Sequence, residues 1–413
     1  MSQDGERVVI IGGGVIAISS AYYLAKAGYQ VTLLERNRFG SGCSESNCGF
    51  ICPSHILPLC EPGARAKTLK TMLQKDSPFR VNPFVGPSLW GWMLRFMQRC
   101  RYDYMIEAAK ARHALLDSSM GLYHDLMNEN VIDCEWKSKG LLFVFKSDKA
   151  MDDYIKTNDL IEDQFGLGAK PYDSKALAEL EPSLKPGLAG GWLHEHDAHL
   201  RPDLLMSSWR ASCEALGVEV IENCEAHSFI IESGNIVAVE TSTGSVPASN
   251  VLLATGALAP KLAKMLGRDL YIQPGKGYSI TTSRPDPCPE IPMIFVEHSV
   301  AATPFDDRYR LGSTMEFTGY DDRINRKRLG LLERGASHYL KQALGDTVHQ
   351  EWCGWRPMAY NGIPTISQSK SVSNAFIAAG HSMLGVSMAP ATGKLVSEII
   401  TGDTPHIAAD PYG

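Results

Sequence analysis

The sequence predicts an α/β protein in which a dinucleotide-binding domain is interleaved with an α+β domain built on a mixed β-sheet. Three observations predict it. Between Arg7 and Glu35 an apolar run enters a glycine turn, an Ala-rich helical stretch follows, and a second apolar run closes the unit. Strand and helix signals resume after His199, and a strand-loop-helix pattern recurs from Ala375 to Ile400. At 413 residues the chain also exceeds the size that one hydrophobic core usually serves. The expected dinucleotide-binding domain is discontinuous, taking residues 1–60, 190–262 and 355–413, and residues 61–189 and 263–354 form the substrate domain.

The first element is a strand, Val8-Val9-Ile10-Ile11, running into Gly12-Gly13-Gly14-Val15-Ile16-Ala17. Gly12 permits a tight turn, Gly14 lets the backbone approach a pyrophosphate at the helix N-terminus, and Ala17 supplies a small residue for helix-on-strand packing. The second strand, Gln30 to Leu34, delivers Glu35 where an acid can accept from a ribose 2′-hydroxyl, and the same charge would repel a 2′-phosphate. This is a Rossmann-like cradle.

A Cys/Ser/Gly loop from Phe39 to Pro58 comes next, and the periodic apolar pattern from Ala64 to Asn128 predicts helix. Within it, Leu89 to Met97 is apolar and aromatic and is followed by Arg99 and Arg101. It reads first as a core helix and second as a surface for peripheral membrane docking. Gly140 to Phe145 is a buried strand and Met151 to Phe165 a helix. Arg201 to Leu216 is a helix, Val218 to Ile221 a strand, and Phe229 to Val239 a hairpin turning at Gly234-Asn235. Val251 to Gly256 is a strand ending at a plausible second cofactor edge, and Tyr271 to Thr318 is β-rich. Ala375 to His381 is the last strand, and a helix from Val386 to Ile400 stops at Gly402 and Pro405.

That interleaving separates a flavin from a nicotinamide, whose fold is normally completed in one continuous block. Gly380-His381-Ser382-Met383-Leu384-Gly385 places two glycines around a turn just before a helix. A helix start offers free N–H groups and partial positive charge, which suits the N1/C2=O edge of a flavin on reduction.

Composition narrows the function class. Hydrophobic residues make up 44% and charged residues 21%, as in globular proteins. A net charge of −6 with no basic tract argues against nucleic acid as a partner. The polar start Met1 to Glu6 leads straight into the first strand and leaves no room for a secretory signal, so a cytoplasmic location is expected, with a peripheral position at the inner face of the cell membrane as its variant. The ten cysteines include a cluster, Cys43, Cys48, Cys52 and Cys60, whose spacing matches neither zinc knuckles nor iron–sulfur runs. They are expected to be free thiols that pack, and no metal is expected. His194-Glu195-His196-Asp197-Ala198-His199 is ligand-rich but lacks H-E-x-x-H spacing, and reads as a polar turn.

With these pieces in order the chain resembles the D-amino-acid oxidase (glycine/sarcosine oxidase-like) superfamily of FAD enzymes, and within it the small-subunit members that dehydrogenate D-amino acids. The likeness rests on the first glycine turn, Ser44-Glu45-Ser46-Asn47-Cys48-Gly49-Phe50-Ile51, and Leu69 to Leu73. It continues through Lys276-Gly277-Tyr278-Ser279, Gly354-Trp355-Arg356-Pro357-Met358, Asn361-Gly362-Ile363-Pro364 and the His381 turn. The resemblance implies bound FAD, held by Gly12, Gly14, Val15, Ile16, Glu35, Arg36, Ser44, Ser46, Asn47, Cys48, Gly49, Ala226, Gly256, Gly380, Met383, Leu384 and Gly385. It also implies oxidation of an amine carbon beside a carboxylate, by hydride transfer from Cα to flavin N5, with release of a 2-oxo acid or a cyclic imine.

Arg356 matches the arginine of the family's G-x-R-P turn, whose planar fork holds the substrate carboxylate in two hydrogen bonds. Tyr278 is a candidate for orienting the substrate, against a bland reading as a packed strand residue. His298 stands where relatives carry a substrate-facing tyrosine, and His55 follows the cofactor loop with an imidazole able to titrate near neutral pH. Electrons then pass to a quinone or O2, and homo- or hetero-oligomers are both compatible with the sequence. Rival readings are a D-hydroxyproline, glycine or sarcosine dehydrogenase or oxidase, a non-catalytic FAD-binding electron-transfer subunit, and covalent flavin attachment through Cys353 or Cys48.

Overall fold

Val8 and Ile10 belong to one buried cluster and Val9 and Ile11 to another, because successive side chains of a strand point to opposite faces. The strand that carries them, Arg7–Ile11, is therefore central to a sheet covered on both sides. The computed structural model describes residues 6–64, 77–82 and 84–413, and the Leu69 to Leu73 motif lies outside the described residues. The six-stranded sheet runs in the order Thr365–Gln368, Ala375–Ala379, Asn250–Leu253, Arg7–Ile11, Gln30–Leu34, Glu219–Ile221. All neighbours are parallel except the first pair.

Four helices pack over one face: Val15–Lys26, Tyr102–Asn128, Pro202–Ala215 and the C-terminal Gly385–Thr401. The first and last of these touch closely. A Cβ on Gly393 would fall 2.1 Å from Ser19 Oγ, whose hydroxyl donates to the Ala389 carbonyl at 2.7 Å. Pro390 sits inside the C-terminal helix and cannot donate to the Val386 carbonyl one turn back. Tyr123 replaces the missing donor, its hydroxyl bonding Val386 O at 2.7 Å. The other face is covered by the helix Ala259–Met265 and an antiparallel meander, Ala226–Glu232, Asn235–Thr241 and Gly244–Pro247. The hairpin turns at Ser233-Gly234, one residue earlier than expected, since Glu232 pairs with Asn235 and both turn residues have φ above zero, 49° and 81°.

The second sheet is mixed and larger. Its order is Val348–Ala359, Ile272–Thr282, Tyr309–Phe317, Val300–Pro304, Met293–Phe295, Leu141–Phe145, Gly190–His194, Lys170–Asp173, and Phe79–Val81 also pairs with Tyr309–Phe317. Three placements differ from the sequence expectation. Gly190–His194 joins this sheet through Leu141–Phe145, although it was grouped with the nucleotide-binding residues. Tyr102–Asn128, grouped with the substrate domain, packs instead against the C-terminal helix over the parallel sheet. The helical region from Ala64 to Asn128 contains a strand, Phe79–Val81, followed by two helices, Pro87–Arg99 and Tyr102–Asn128. In the first of these, Leu89, Trp92 and Met93 are buried against Phe317 and Met358, and Trp90 and Leu94 stay about half exposed. No described helix is long and apolar enough to cross a membrane.

Candidate active site

Between the two sheets lies a cavity of about 750 Å3. Its walls are set by chain reversals at the carboxyl ends of the parallel strands, where open α/β sheets bind ligands. At the first reversal Gly12 has φ +117°, and a Cβ there would sit 2.6 Å from Ala254 O. Only glycine fits both demands. Gly14 ends the turn as the N-cap of Val15–Lys26, and Ser44 Oγ accepts the Val15 N–H at 2.9 Å. Glu35 lies against Gly13: its Oε2 accepts the Gly13 N–H at 2.7 Å and its Oε1 the Asn37 N–H at 2.8 Å. A Cβ on Gly13 would lie 2.9 Å from the Glu35 side chain, so the middle glycine, unremarked in the sequence, is the one that seats the acid.

The loop after the second strand is braced from both sides. Asn47 bonds the carbonyls of Cys43 and Ser44 and accepts the Gly49 N–H at 2.8 Å. Gly49 has φ +70°, and a Cβ would collide with Leu200 O at 2.0 Å. From the large sheet, Ser279 Oγ donates to Ser46 O, Thr303 Oγ1 to Cys48 O and Arg310 to Asn47 O at 2.6 Å. Arg310 was not singled out in the sequence. Its one signal is a cation between the apolar Tyr309 and Leu311, and burial holds its guanidinium pKa below the ordinary value.

The cavity gathers Gly12, Gly14, Val15, Ile16, Glu35, Arg36, Ser44, Ser46, Asn47, Cys48, Gly49, Ala226, Gly256, Met383, Leu384 and Gly385. Gly380, the remaining expected cofactor residue, lies just behind this wall and lines a neighbouring pocket of about 220 Å3, its φ of +89° turning the chain toward His381. Leu384 precedes the C-terminal helix without a side-chain cap, so the first N–H groups of that helix have no partner from a capping side chain.

Arg356 lines the cavity from the strand Val348–Ala359. Its Nη1 donates to Thr314 O at 2.8 Å, and no carboxylate pairs with it among the described residues. Burial holds its pKa below the ordinary value. The guanidinium lies over Gly277, where a Cβ would come within 2.2 Å of Nη1 and 2.5 Å of Cζ. Gly277 is thus a second residue the sequence carried only as part of a motif.

The other expected catalytic residues are arranged differently. Tyr278 lines the cavity, but its hydroxyl donates to Glu316 Oε2 at 2.6 Å, and burial with this bond pushes the phenol pKa up. Its donor is therefore committed inside the sheet and does not reach a substrate. Glu316 is itself held by Arg328, 3.1 Å away. His298 does not reach the cavity, which corrects its expected role. It ends a short 3-10 turn, Val296–His298, where its Nδ1 meets Tyr339 Oη at 3.0 Å and its ring stacks on His338 at 4.5 Å. His55 does line the cavity, and burial lowers its pKa to about 3, so it stays neutral near pH 7. All ten cysteines are free.

Comparison with known proteins bears on the family and the fold. A family model described as FAD dependent oxidoreductase matches residues 7–399. A protein named D-amino acid dehydrogenase from Methylobacterium nodulans is 31% identical over 97% of each chain, and one of the same name from Helicobacter pylori is 29% identical over 95% of this chain and 94% of that one. Among solved structures, glycine oxidase from Geobacillus kaustophilus superposes with a TM-score of 0.78 at 22% identity, covering 98% of both chains. L-proline dehydrogenase from P. horikoshii gives 0.71 at 21% identity over 99% and 97%. At these identities the structural matches speak to the fold.

Proposed function

The chain belongs to this family of FAD-dependent oxidoreductases, and from that premise we propose that it is a D-amino acid dehydrogenase, which binds FAD across the glycine turns and oxidises the Cα–N bond of a D-amino acid. The cradle fits the ADP half of that cofactor: glycines at 12 and 14 admit a pyrophosphate to a helix N-terminus, and Glu35, held by two backbone N–H groups, presents its carboxylate to a ribose. When bound, FAD accepts the hydride from Cα.

The protein's own residues supply orientation and charge. Arg356 carries the reading: a cation in the cavity wall with no carboxylate partner calls for an anionic ligand, and its fork matches a carboxylate. Clamping the carboxylate limits the orientations in which the single Cα hydrogen of the substrate can face the cofactor. Leu384 and Gly385, at the uncapped start of Gly385–Thr401, line the cavity, and this helix N-terminus would offer N–H groups and partial positive charge to a flavin that gains negative charge on reduction. Neutral His55, Ile294 and Ala301 line the same cavity and would shield a substrate held at Arg356 from water. The imine leaves for hydrolysis in solvent to a 2-oxo acid and ammonia.

Anaerobic mixing of the holoenzyme with a panel of D- and L-amino acids, glycine, sarcosine and D-hydroxyproline, followed by flavin absorbance, tests the proposal. Bleaching by D-amino acids and not their L-forms is expected. Bleaching by L-forms overturns the stereochemical assignment, and bleaching by none makes the chain an electron-transfer subunit. The electron acceptor, a quinone or O2, follows from repeating the reaction in air and with a quinone analogue. A quinone would bring the exposed edge of Pro87–Arg99, with Leu94, toward a membrane surface.

A further inference from the structure

The ligand-rich stretch from His194 to His199 has partners that lie far from it in sequence. Phe50–Ile51 and Ala198–His199 pair antiparallel, with Phe50 opposite His199 and Ile51 opposite Ala198. One step further along this register sets Cys52 across from Asp197, and the turn that follows brings in His55. The ligand atoms of Cys52, His55 and Asp197 all lie within 4.8 Å of one another. Glu195 and His196 of the same stretch face solvent.

We propose that Cys52, His55 and Asp197 form a binding site for a divalent metal of zinc's ligand preference in the cavity wall. Thiolate, imidazole and carboxylate are the three donor types zinc takes, and three protein ligands leave a fourth tetrahedral position open. Cys52 and His55 line the cavity, so that position faces its interior.

The polar atoms await a cation. The Asp197 side chain is 1% exposed and pairs with no basic group among the described residues. Its Oδ1 accepts the Ser54 N–H at 3.0 Å and its Oδ2 the Ser54 hydroxyl at 2.6 Å, which orients the carboxylate and leaves each oxygen a lone pair. His55 Nδ1 is buried without a hydrogen-bond partner, while Arg112 fixes the same residue's carbonyl at 2.7 Å. Cys52 binds zinc as the thiolate and Asp197 as the carboxylate. Zinc displaces protons from both groups to solvent, and the two anions left behind cancel its charge. The site shares the cavity wall and His55 with the amino acid chemistry proposed above, and metal content is read without substrate or turnover, so the two readings fail separately.

The test is metal content. Full-length holoenzyme is dialysed against Zn2+, then against metal-free buffer, and zinc is counted by mass spectrometry, with its X-ray absorption edge read for neighbours. One zinc per chain with a sulfur neighbour is expected. Cys52→Ser is expected to weaken zinc binding roughly 100-fold or more, and Ser54→Ala, which leaves the ligands in place, roughly 10-fold. Wild-type protein that retains no zinc overturns the proposal whatever the variants do. So does bound zinc without sulfur, or an affinity that Cys52→Ser leaves unchanged.

Discussion

Arg356 uses one of its five N–H donors on Thr314 O, which leaves the rest of the fork for a ligand in the cavity. Lysine at 356 keeps the charge and loses the bidentate geometry, so Arg356→Lys is expected to raise KM for amino acids roughly 100-fold, about 2.7 kcal/mol. The same consequence is expected from a residue that touches no substrate. Gly277→Ala puts a methyl within 2.2 Å of Nη1 and drives the guanidinium from its seat. Its KM is expected to rise in the same direction, with the flavin spectrum of the holoenzyme unchanged. A Gly277→Ala enzyme with wild-type KM would show that the substrate carboxylate binds elsewhere. The arginine was legible because its G-x-R-P context is local. The glycine's role was not, because the contact crosses from Ile272–Thr282 to Val348–Ala359, and only the register, with Gly275 opposite Arg356, brings Gly277 under the guanidinium. Tyr278 misled for a related reason: alternation shows that a strand tyrosine is buried, and the partner its hydroxyl finds, Glu316, lies 38 residues on.

The turn from Gly380 to Gly385 is the element that joins the last strand to the cavity. Its glycines and the helix behind it were legible, since punctuation of this kind is local chemistry. What held it in place was not. Ser382 N donates to Pro357 O, Ser382 takes φ +54°, and His381 is buried with its Nε2 3.0 Å from Thr392 Oγ1. Burial alone lowers the His381 pKa from 6.5 to about 3, and no charged group of the packed elements contributes. The sign of the stability effect follows. Above about pH 6.5 the imidazole is neutral in both states and pH has no effect through it. As pH falls from there toward 3, the unfolded chain binds a proton that the native turn refuses, so stability is lost at about 1.4 kcal/mol per pH unit. Below about pH 3 the loss levels off. Melting temperatures of wild type and His381→Asn, measured between about pH 7 and 4, are expected to converge as pH falls, the wild type declining more steeply. Parallel curves would mean that His381 is protonated in the native state.

At the scale of the whole molecule, the six-stranded sheet takes strands from residues 7–34, 219–253 and 365–379, so neither half of the chain contains a complete nucleotide-binding fold. That interleaving was legible, because each strand carries its own apolar run. The borders were not, because sheet membership is decided by pairing across long separations. Gly190–His194 finds Leu141–Phe145 and Phe79–Val81 finds Tyr309–Phe317, and neither pairing leaves a local mark. The cavity is lined by residues of the first, middle and last segments alike, so a ligand that fills it ties together parts that the backbone joins only through the second sheet. FAD should therefore behave as a structural member. A ligand that binds the native state alone stabilises it by about 2.7 kcal/mol at a hundredfold excess over its Kd, with a further increment for each tenfold rise in concentration. Removing FAD is expected to lower the melting temperature by a few degrees, and titrating it back to restore the transition as a single step that climbs with the logarithm of FAD concentration. Gly12→Ala, whose methyl would meet Ala254 O at 2.6 Å and whose backbone stands at φ +117°, is expected to melt below the wild-type apo protein and at a temperature that FAD does not raise. An apo protein that melts where the holoenzyme does, or a Gly12→Ala protein that still gains stability from FAD, would show that the cradle is not where the cofactor binds.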